Sequence, residues 1–130
     1  MQIWNLMTPN VSTVSPKDRL SKAYDLMQTR HFRRLPVVED GKLIAIVTDR
    51  DVRQHWGYLD STLVSAAMTS DPFTISPNVT VEDATRLMLE HQIGGLPVVD
   101  NGKLIGIVTS SDVMKAFLRM AQATLDVVKG

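Results

Sequence analysis

The chain contains the same unit twice, and this repeat limits its possible folds more than any other feature. Residues 41–52 read GKLIAIVTDRDV, and residues 102–113 read GKLIGIVTSSDV. The same offset of 61 positions relates Thr8 to Thr69, and the register holds without insertion or deletion over 3–113. Self-similarity at a fixed period marks repeated structural units. The two halves are therefore predicted to share one fold.

Each copy has the pattern of a β-α-β-β-α unit. A helix is predicted where apolar residues recur at helical spacing, and strands are predicted from short runs rich in β-branched residues. Asp40-Gly41 and Asn101-Gly102 favour tight hairpins, and Thr80 with Asp83 predicts a helix cap. The elements predicted in the first copy are an extended piece at 13–14, a helix over 20–27, strands at 35–38 and 43–47, and a helix that begins at Thr48.

The central strands indicate how two such units pack. Residues 43–47 and 104–108 are apolar on both faces, and a strand of this kind is covered on both sides. One unit has too few helices to cover it, so the units are expected to pack sheet against sheet. The predicted fold class is α+β, with two βαββα repeats (1–60 and 61–130) about a pseudo-twofold axis, a connector at 54–63 and a C-terminal helix over 114–129.

Composition and charge exclude several functions. The chain has 14 basic and 14 acidic residues and a formal net charge of zero, so no general attraction to nucleic acid or to anionic membranes is expected. Cysteine is absent, which rules out disulfides and Cys-ligated metals, and His31, His55 and His91 lack a metal-ligand spacing. No residues are arranged for nucleophilic catalysis, so neither a catalytic residue nor an enzymatic activity is predicted.

The sequence predicts neither a membrane protein nor a secreted one. No apolar run approaches the roughly 18 residues that a membrane span needs. The first five residues, Met1 to Asn5, lack the basic and apolar regions of a secretory signal. A cytoplasmic location is therefore the expectation.

Both copies resemble the CBS domain, and together they resemble the tandem pair known as a Bateman module. The resemblance rests on Met-Thr, on hydrophobic-Pro-Val-Val and on Gly-Lys-Leu-Ile-x-Ile-Val-Thr-x-x-Asp-Val, over roughly residues 3–116. It implies a non-catalytic regulatory sensor of adenosine-containing ligands such as AMP, ADP, ATP, S-adenosylmethionine or NAD, with no required cofactor. It also implies a flat homodimer formed through helices and a regulated protein partner, although some members bind no known ligand.

The resemblance further implies two clefts between the repeats, each built from both of them. The aspartate of Thr-x-x-Asp would accept hydrogen bonds from both ribose hydroxyls, because a carboxylate has acceptors and no donor. The threonine would meet the ribose or the phosphate. The first cleft would combine Thr13, Arg33, Arg34 and Pro36 with Thr109, Ser111 and Asp112. The second would combine Thr74, Gly95 and Pro97 with Thr48, Arg50 and Asp51.

The Thr-x-x-Asp residues also have an interpretation that needs no ligand. A threonine at a helix N-cap with an acid three positions later forms a capping box. The acid suits the positive end of the helix dipole, and the cap contributes about 1 kcal/mol. Two other hypotheses therefore stay open: a structural dimerisation module without a ligand, and a nucleic-acid-associated protein that uses the basic run at 30–34.

The two clefts are not expected to be equivalent. Arg33-Arg34 in the first copy corresponds to Gly94-Gly95 in the second, and Asp49-Arg50 corresponds to Ser110-Ser111. Each cleft thus keeps an arginine, whose planar donors match phosphate oxygens. The glycines leave room for a base or a phosphate to approach the backbone. The two clefts are therefore predicted to bind a ligand unequally.

Overall fold

Two small sheets carry the fold in the computed structural model, which describes residues 1–129. The strands are β1 (Thr8–Pro9), β2 (Arg34–Glu39), β3 (Lys42–Thr48), β4 (Thr69–Ser70), β5 (Gly95–Asp100) and β6 (Lys103–Thr109). One sheet has the order β2-β3-β4 and the other the order β5-β6-β1, and all paired strands are antiparallel. The two sheets have the same plan, and their central strands β3 and β6 contact each other.

Helices flank both sheets. They are α1 (Leu20–Arg30), α2 (Asp49–Gln54), α3 (Val64–Ala67), α4 (Val81–His91) and α5 (Ser110–Lys129), with a 3-10 turn at Ile3–Asn5. This arrangement of two related α and β units with a long C-terminal helix confirms the predicted fold class.

The helices that follow the two Thr-x-x-Asp motifs differ in length. The first, α2, has six residues and ends shortly before Gly57, which has a φ of 94°. The second, α5, runs for 20 residues, whereas the sequence predicted a C-terminal helix only from residue 114. Leu118 stands where the first repeat has Gly57, and leucine favours helix by up to about 1 kcal/mol over glycine. The second repeat therefore continues its helix without a break.

Each sheet takes its shortest strand from the other repeat. Strand β1 pairs with β6 and places Pro9 opposite Gly106, while β4 pairs with β3 and places Ser70 opposite Ala45. Two residues are too few to show the alternation that identifies a strand, so the sequence did not predict this exchange. The division into repeats at residues 60 and 61 stays a prediction, because the segments that hold β1 and β4 pack across it.

The residues that precede β1 and β4 are exchanged in the same way. Ile3 and Leu6 lie in the core under the second sheet, and Val64 lies in the core under the first. Backbone hydrogen bonds hold both segments: the amide of Ile3 donates to the carbonyl of Val79 at 2.9 Å, and the amide of Val64 donates to that of Asp18 at 2.8 Å. The two repeats are therefore interlocked rather than merely in contact.

The hairpins form where the sequence predicts them. Asp40 and Gly41 have φ values of 51° and 78°, and Asn101 and Gly102 have values of 50° and 80°. Positive φ at both central residues is the requirement of the two-residue hairpin turn that matches the twist of the strands. Both predicted turns are confirmed.

The first helix of each repeat buries the predicted face. Ala23 of α1 and Ala84 of α4 are completely buried. The predicted cap of α4 is present, because the Asp83 amide donates to Oγ1 of Thr80 at 3.1 Å. Arg19 occupies the equivalent position before α1 and makes no side-chain cap.

Gly106→Ala is expected to destabilise the protein by about 1–3 kcal/mol, the usual effect of overpacking. A Cβ atom on Gly106 would lie 2.7 Å from the carbonyl oxygen of Thr8 in β1, so the backbone of one strand would have to move. The free energy of unfolding in urea measures the loss. Ala45→Gly, at the equivalent position of the other sheet, is the matched control and should cost only about 0.5–1 kcal/mol. A Gly106→Ala protein as stable as the wild type would contradict the pairing of β1 with β6.

Candidate functional site

Thr48 and Asp51 form a reciprocal cap at the start of α2. The Thr48 amide donates to Oδ2 of Asp51 at 2.8 Å, and the Asp51 amide donates to Oγ1 of Thr48 at 3.3 Å. The Thr48 hydroxyl also donates to the same Oδ2 at 3.0 Å. The predicted capping box is therefore present in the first repeat.

The second repeat builds the same cap at the start of α5. The Thr109 amide donates to Oδ2 of Asp112 at 2.9 Å, and the Asp112 amide donates to Oγ1 of Thr109 at 3.2 Å. The hydroxyl of Thr8 donates a long hydrogen bond of 3.4 Å to Oδ1 of Asp112. Thr8 reaches this site because β1 crosses from the first repeat, so the exchange of strands adds a residue that the sequence prediction missed.

Capping uses one oxygen of each carboxylate and leaves the other oxygen, Oδ1, outside the cap. In both repeats Oδ2 accepts the bonds of the cap, and in the described part of the chain Oδ1 of Asp51 has no hydrogen bond. A carboxylate oxygen has two lone pairs and can accept two hydrogen bonds. Capping and ligand binding are therefore compatible in one side chain.

The first backbone amide of α2 and of α5 donates a hydrogen bond to the residue just before β2 and β5, respectively. The Asp49 amide donates to the carbonyl of Arg33 at 2.8 Å, and the Ser110 amide donates to that of Gly94 at 2.9 Å. The third amide of each helix is bound by the capping threonine. Amides of a first turn lack intrahelical acceptors, so the second residue of each helix keeps its N–H as a donor beside the carboxylate.

A cleft of about 410 Å³ opens beside Asp112, and we call it the Asp112 cleft. Both repeats contribute to its walls, and Lys115 and Arg33 add positive charge next to the single carboxylate of Asp112. The cleft is therefore cationic, although the chain as a whole has no net charge. Its walls include Thr8, Arg33, Arg34, Thr109, Ser111 and Asp112.

A cleft of about 580 Å³ opens beside Asp51, and we call it the Asp51 cleft. Arg53 and three other arginines face two carboxylates here, those of Asp49 and Asp51, so this cleft also has an excess of positive charge. Thr69 corresponds to Thr8 and arrives on the exchanged strand β4. The walls include Arg33, Arg34, Thr48, Arg50, Asp51 and Thr69.

The two clefts contain most of the predicted site residues. They bring together Arg33, Arg34, Thr48, Arg50, Asp51, Thr109, Ser111 and Asp112. Within the described chain, the predicted site residues that line neither cleft are Thr13, Pro36, Thr74, Gly95 and Pro97. The role of all these residues in binding a ligand stays a prediction.

The two prolines lie inside the sheets rather than on the clefts. Pro36 and Pro97 are almost completely buried. Their carbonyls accept hydrogen bonds of 3.1 Å from the amides of Val14 and Ile75, which form the extended pieces predicted before the first helix of each repeat. The prolines thus anchor these pieces to the sheets, a contact that no local sequence pattern indicates.

The side chain of Arg34 lies against the glycine pair Gly94-Gly95. This arginine lines both clefts, whereas the sequence prediction placed it in one. A Cβ atom on either Gly94 or Gly95 would lie 2.8 Å from an atom of the Arg34 side chain. In this structure the arginine occupies the space beside the glycines, although Gly94 still lines both clefts. The approach of a base or a phosphate to the glycine backbone stays a prediction and requires the arginine to move. Positions 34 and 95 are equivalent in the repeat, so they meet where the two halves face each other.

Arg34 is a cation without a carboxylate partner. In residues 1–129, no acidic oxygen lies within 4.0 Å of its guanidinium. Partial burial lowers the pKa of Arg34, the nearby charge of Asp49 opposes this shift, and Arg33 adds to it. An arginine keeps its proton in proteins, so a partly desolvated positive charge lies between the two clefts. Phosphate oxygens match the planar donors of such a group.

The clefts offer hydroxyls, carboxylates and cations as ligand-binding groups. Over residues 1–129, no three His, Cys, Asp or Glu side chains come close enough to hold a metal ion. In the same range, each helix is either too short or too polar to cross a membrane.

The comparison with family models agrees with the fold and with the paired clefts. The model of the CBS domain matches residues 3–57 and matches again at residues 64–119. Together the two matches cover most of the chain, and they begin 61 positions apart, as the repeat does. The chain therefore belongs to the CBS domain family and carries two CBS domains in tandem.

Relatives and solved structures support the same assignment. The CBS domain-containing protein YhcV of Bacillus subtilis is 40% identical over 110 residues, which are 82% of this chain and 79% of that protein. Inosine-5'-monophosphate dehydrogenase of Korarchaeum cryptofilum is 43% identical over 105 residues, which are 80% of this chain but 22% of the enzyme. The crystal structure of CBSX2 in complex with AMP has a TM-score of 0.80 and 31% identity, and the similarity covers 92% of this chain and 98% of CBSX2.

Arg34→Ala is expected to reduce the loss of stability that a methyl group at position 95 causes. In Gly95→Ala the new Cβ would lie 2.8 Å from Cδ of Arg34, so the arginine must leave its place. The loss of stability should be smaller in the Arg34→Ala background, with a coupling energy of about 1 kcal/mol, as for residues in contact. Urea unfolding of the four proteins of this cycle measures the coupling. Strictly additive effects would show that Arg34 does not lie against Gly95.

Proposed function

We propose that this chain is a non-catalytic regulatory module that binds an adenosine-containing ligand in the clefts between its two CBS domains. The observation that carries the proposal is that each cleft is lined by a helix-capping aspartate, Asp51 or Asp112, and also by Arg34, which has no carboxylate partner within residues 1–129. A hydroxyl-binding group and an anion-binding group are thus present together in each cleft.

An adenosine phosphate has the groups that match this arrangement. Its ribose diol has two hydroxyls, and a single carboxylate oxygen can accept a hydrogen bond from both. Its phosphate can be bound by the parallel N–H groups of an arginine. The crystal structure of CBSX2 in complex with AMP supports the proposal, because CBSX2 is 31% identical to this chain and has the same fold.

A ligand in these clefts can regulate without catalysis. Each cleft takes residues from both repeats, so a bound ligand stabilises the arrangement of the repeats that it fits. The surface offered to a protein partner then depends on the ligand. A cytoplasmic location belongs to the same proposal. The nucleic-acid hypothesis has less support, because Arg33 and Arg34 of the basic run line the clefts.

AMP is expected to stabilise the protein, by about 2.7 kcal/mol when its concentration is one hundred times the Kd. Asp51→Ala and Asp112→Ala should weaken AMP binding at their own clefts, because each removes the acceptor of the ribose hydroxyls. Thermal unfolding and calorimetric titration with AMP, ATP and S-adenosylmethionine measure both effects and rank the ligands. The absence of any shift with all three compounds would contradict the proposal.

Thr80→Ala separates helix capping from ligand binding in this experiment. Thr80 caps α4, and it is not among the residues that line the two clefts. Its loss should cost about 1 kcal/mol of stability and leave the affinity for AMP unchanged. If the aspartate variants behaved like Thr80→Ala, the aspartates would be helix caps only, and AMP would be bound without them. A protein that bound none of the three compounds would instead favour the structural module without a ligand.

We also propose that the module forms a homodimer through its helices. Leu89 of α4 is 74% exposed and Phe117 of α5 is 67% exposed, and both line a groove of about 440 Å³ between these helices. Trp56 is 60% exposed and contacts Tyr24 edge to face at the corresponding place in the first repeat. Large exposed apolar patches of this kind mark protein interaction surfaces, and pairing of two copies would cover them.

Phe117→Glu is expected to convert a dimer into a monomer. A charge buried at an apolar contact is strongly unfavourable, whereas in the monomer the exposed side chain tolerates it. Light scattering after size-exclusion chromatography should give twice the 14.5 kDa of one chain for the wild type and the mass of one chain for the variant. Trp56→Glu is the matched change on the other pair of helices and identifies which face is used. A wild-type protein that is monomeric at every concentration would contradict the dimer.

A further inference from the structure

One partly buried arginine, Arg34, lines both clefts. The guanidinium of Arg34 crosses to the second repeat, where a Cβ atom on Gly94 would lie 2.8 Å from its Nη2. Gly95 is the equivalent of Arg34 in the repeat, so the second repeat supplies no matching arginine. The Asp51 cleft and the Asp112 cleft therefore share a single partly buried cation.

We infer that ligands with a phosphate in the two clefts compete for Arg34, so that occupancy of one cleft weakens binding in the other. The inference rests on the proposed function. One phosphate takes a parallel pair of the N–H donors of a guanidinium and offsets its positive charge. A second phosphate in the other cleft then meets an arginine whose charge is already offset, so Arg34 contributes less to its binding.

The other cations of the clefts do not replace Arg34. Arg33 also lines both clefts, but its side chain is exposed, and so are those of Arg50, Arg53 and Lys115. Water and salt screen exposed charges, so their contribution to a phosphate is smaller. Arg34 alone in this set is partly withdrawn from solvent, and it has no carboxylate partner within the described residues.

A matched pair of variants isolates each cleft. Arg50 and Ser111 occupy equivalent positions, are exposed, and are the second residues of α2 and α5. Arg50→Glu places a carboxylate in the Asp51 cleft, and Ser111→Glu places one in the Asp112 cleft, so each should repel a phosphate from that cleft only. An acid suits the first turn of a helix, so both proteins are expected to fold.

Calorimetric titration with AMP of the wild type and of both single-cleft variants tests the inference. For two independent sites, the second Kd of the wild type equals the sum of the two single-cleft Kd values. We expect it to exceed that sum about tenfold, within the range of couplings between sites in proteins. The excess should disappear when all three proteins carry Arg34→Gln. It should persist with Arg53→Gln, which removes an arginine of the Asp51 cleft only.

The possible outcomes separate this inference from the proposed function. A wild type that binds one AMP, while each single-cleft variant also binds one, is the strongest form of the expected result. A second Kd equal to the sum, an excess that survives Arg34→Gln, or a single-cleft variant that binds no AMP would each overturn the competition and leave the proposed function standing. Absence of AMP binding in every protein would overturn both.

Discussion

Two copies of one unit that face each other across an approximate twofold axis bring equivalent positions together, and the same space cannot hold two large side chains. Arg34 and Gly95 are such a pair, and the arginine lies where a side chain on the glycine would stand. Two arginines would also place like charges in contact. The difference between the copies at these positions fits their symmetric packing, and it leaves the two clefts with one partly buried arginine in common.

Helix capping prepares the aspartates for the role that we propose. Asp51 and Asp112 each receive hydrogen bonds on Oδ2 from the amide and the hydroxyl of the preceding threonine. A side chain held in this way loses little rotamer freedom when a ligand binds, which favours affinity. Capping and the proposed ligand binding are therefore compatible in Thr-x-x-Asp, although the sequence presented them as alternatives, because a carboxylate has two oxygens and the cap engages only one.

The exchanged strands make the clefts depend on both repeats. Thr8 reaches Asp112 only because β1 joins the second sheet, and Thr69 reaches the Asp51 cleft only because β4 joins the first. Any change in the relative position of the repeats therefore changes both clefts together. In the function that we propose, a ligand bound between the repeats acts through this interlocking on the helical surfaces of α4 and α5, where apolar side chains are exposed.

The sequence by itself determined the repeat, the hairpins and the caps. These features depend on local conformation, such as positive φ at Asp40-Gly41 or an acid three residues after Thr48. Only the tertiary structure decided which sheet each short strand joins, which residues fill the space beside the glycines, and that Pro36 and Pro97 are buried. Those outcomes depend on contacts between residues far apart in the chain, as between Thr8 and Asp112, separated by 104 positions. No local pattern encodes such a contact, because it forms only when both halves are folded and packed.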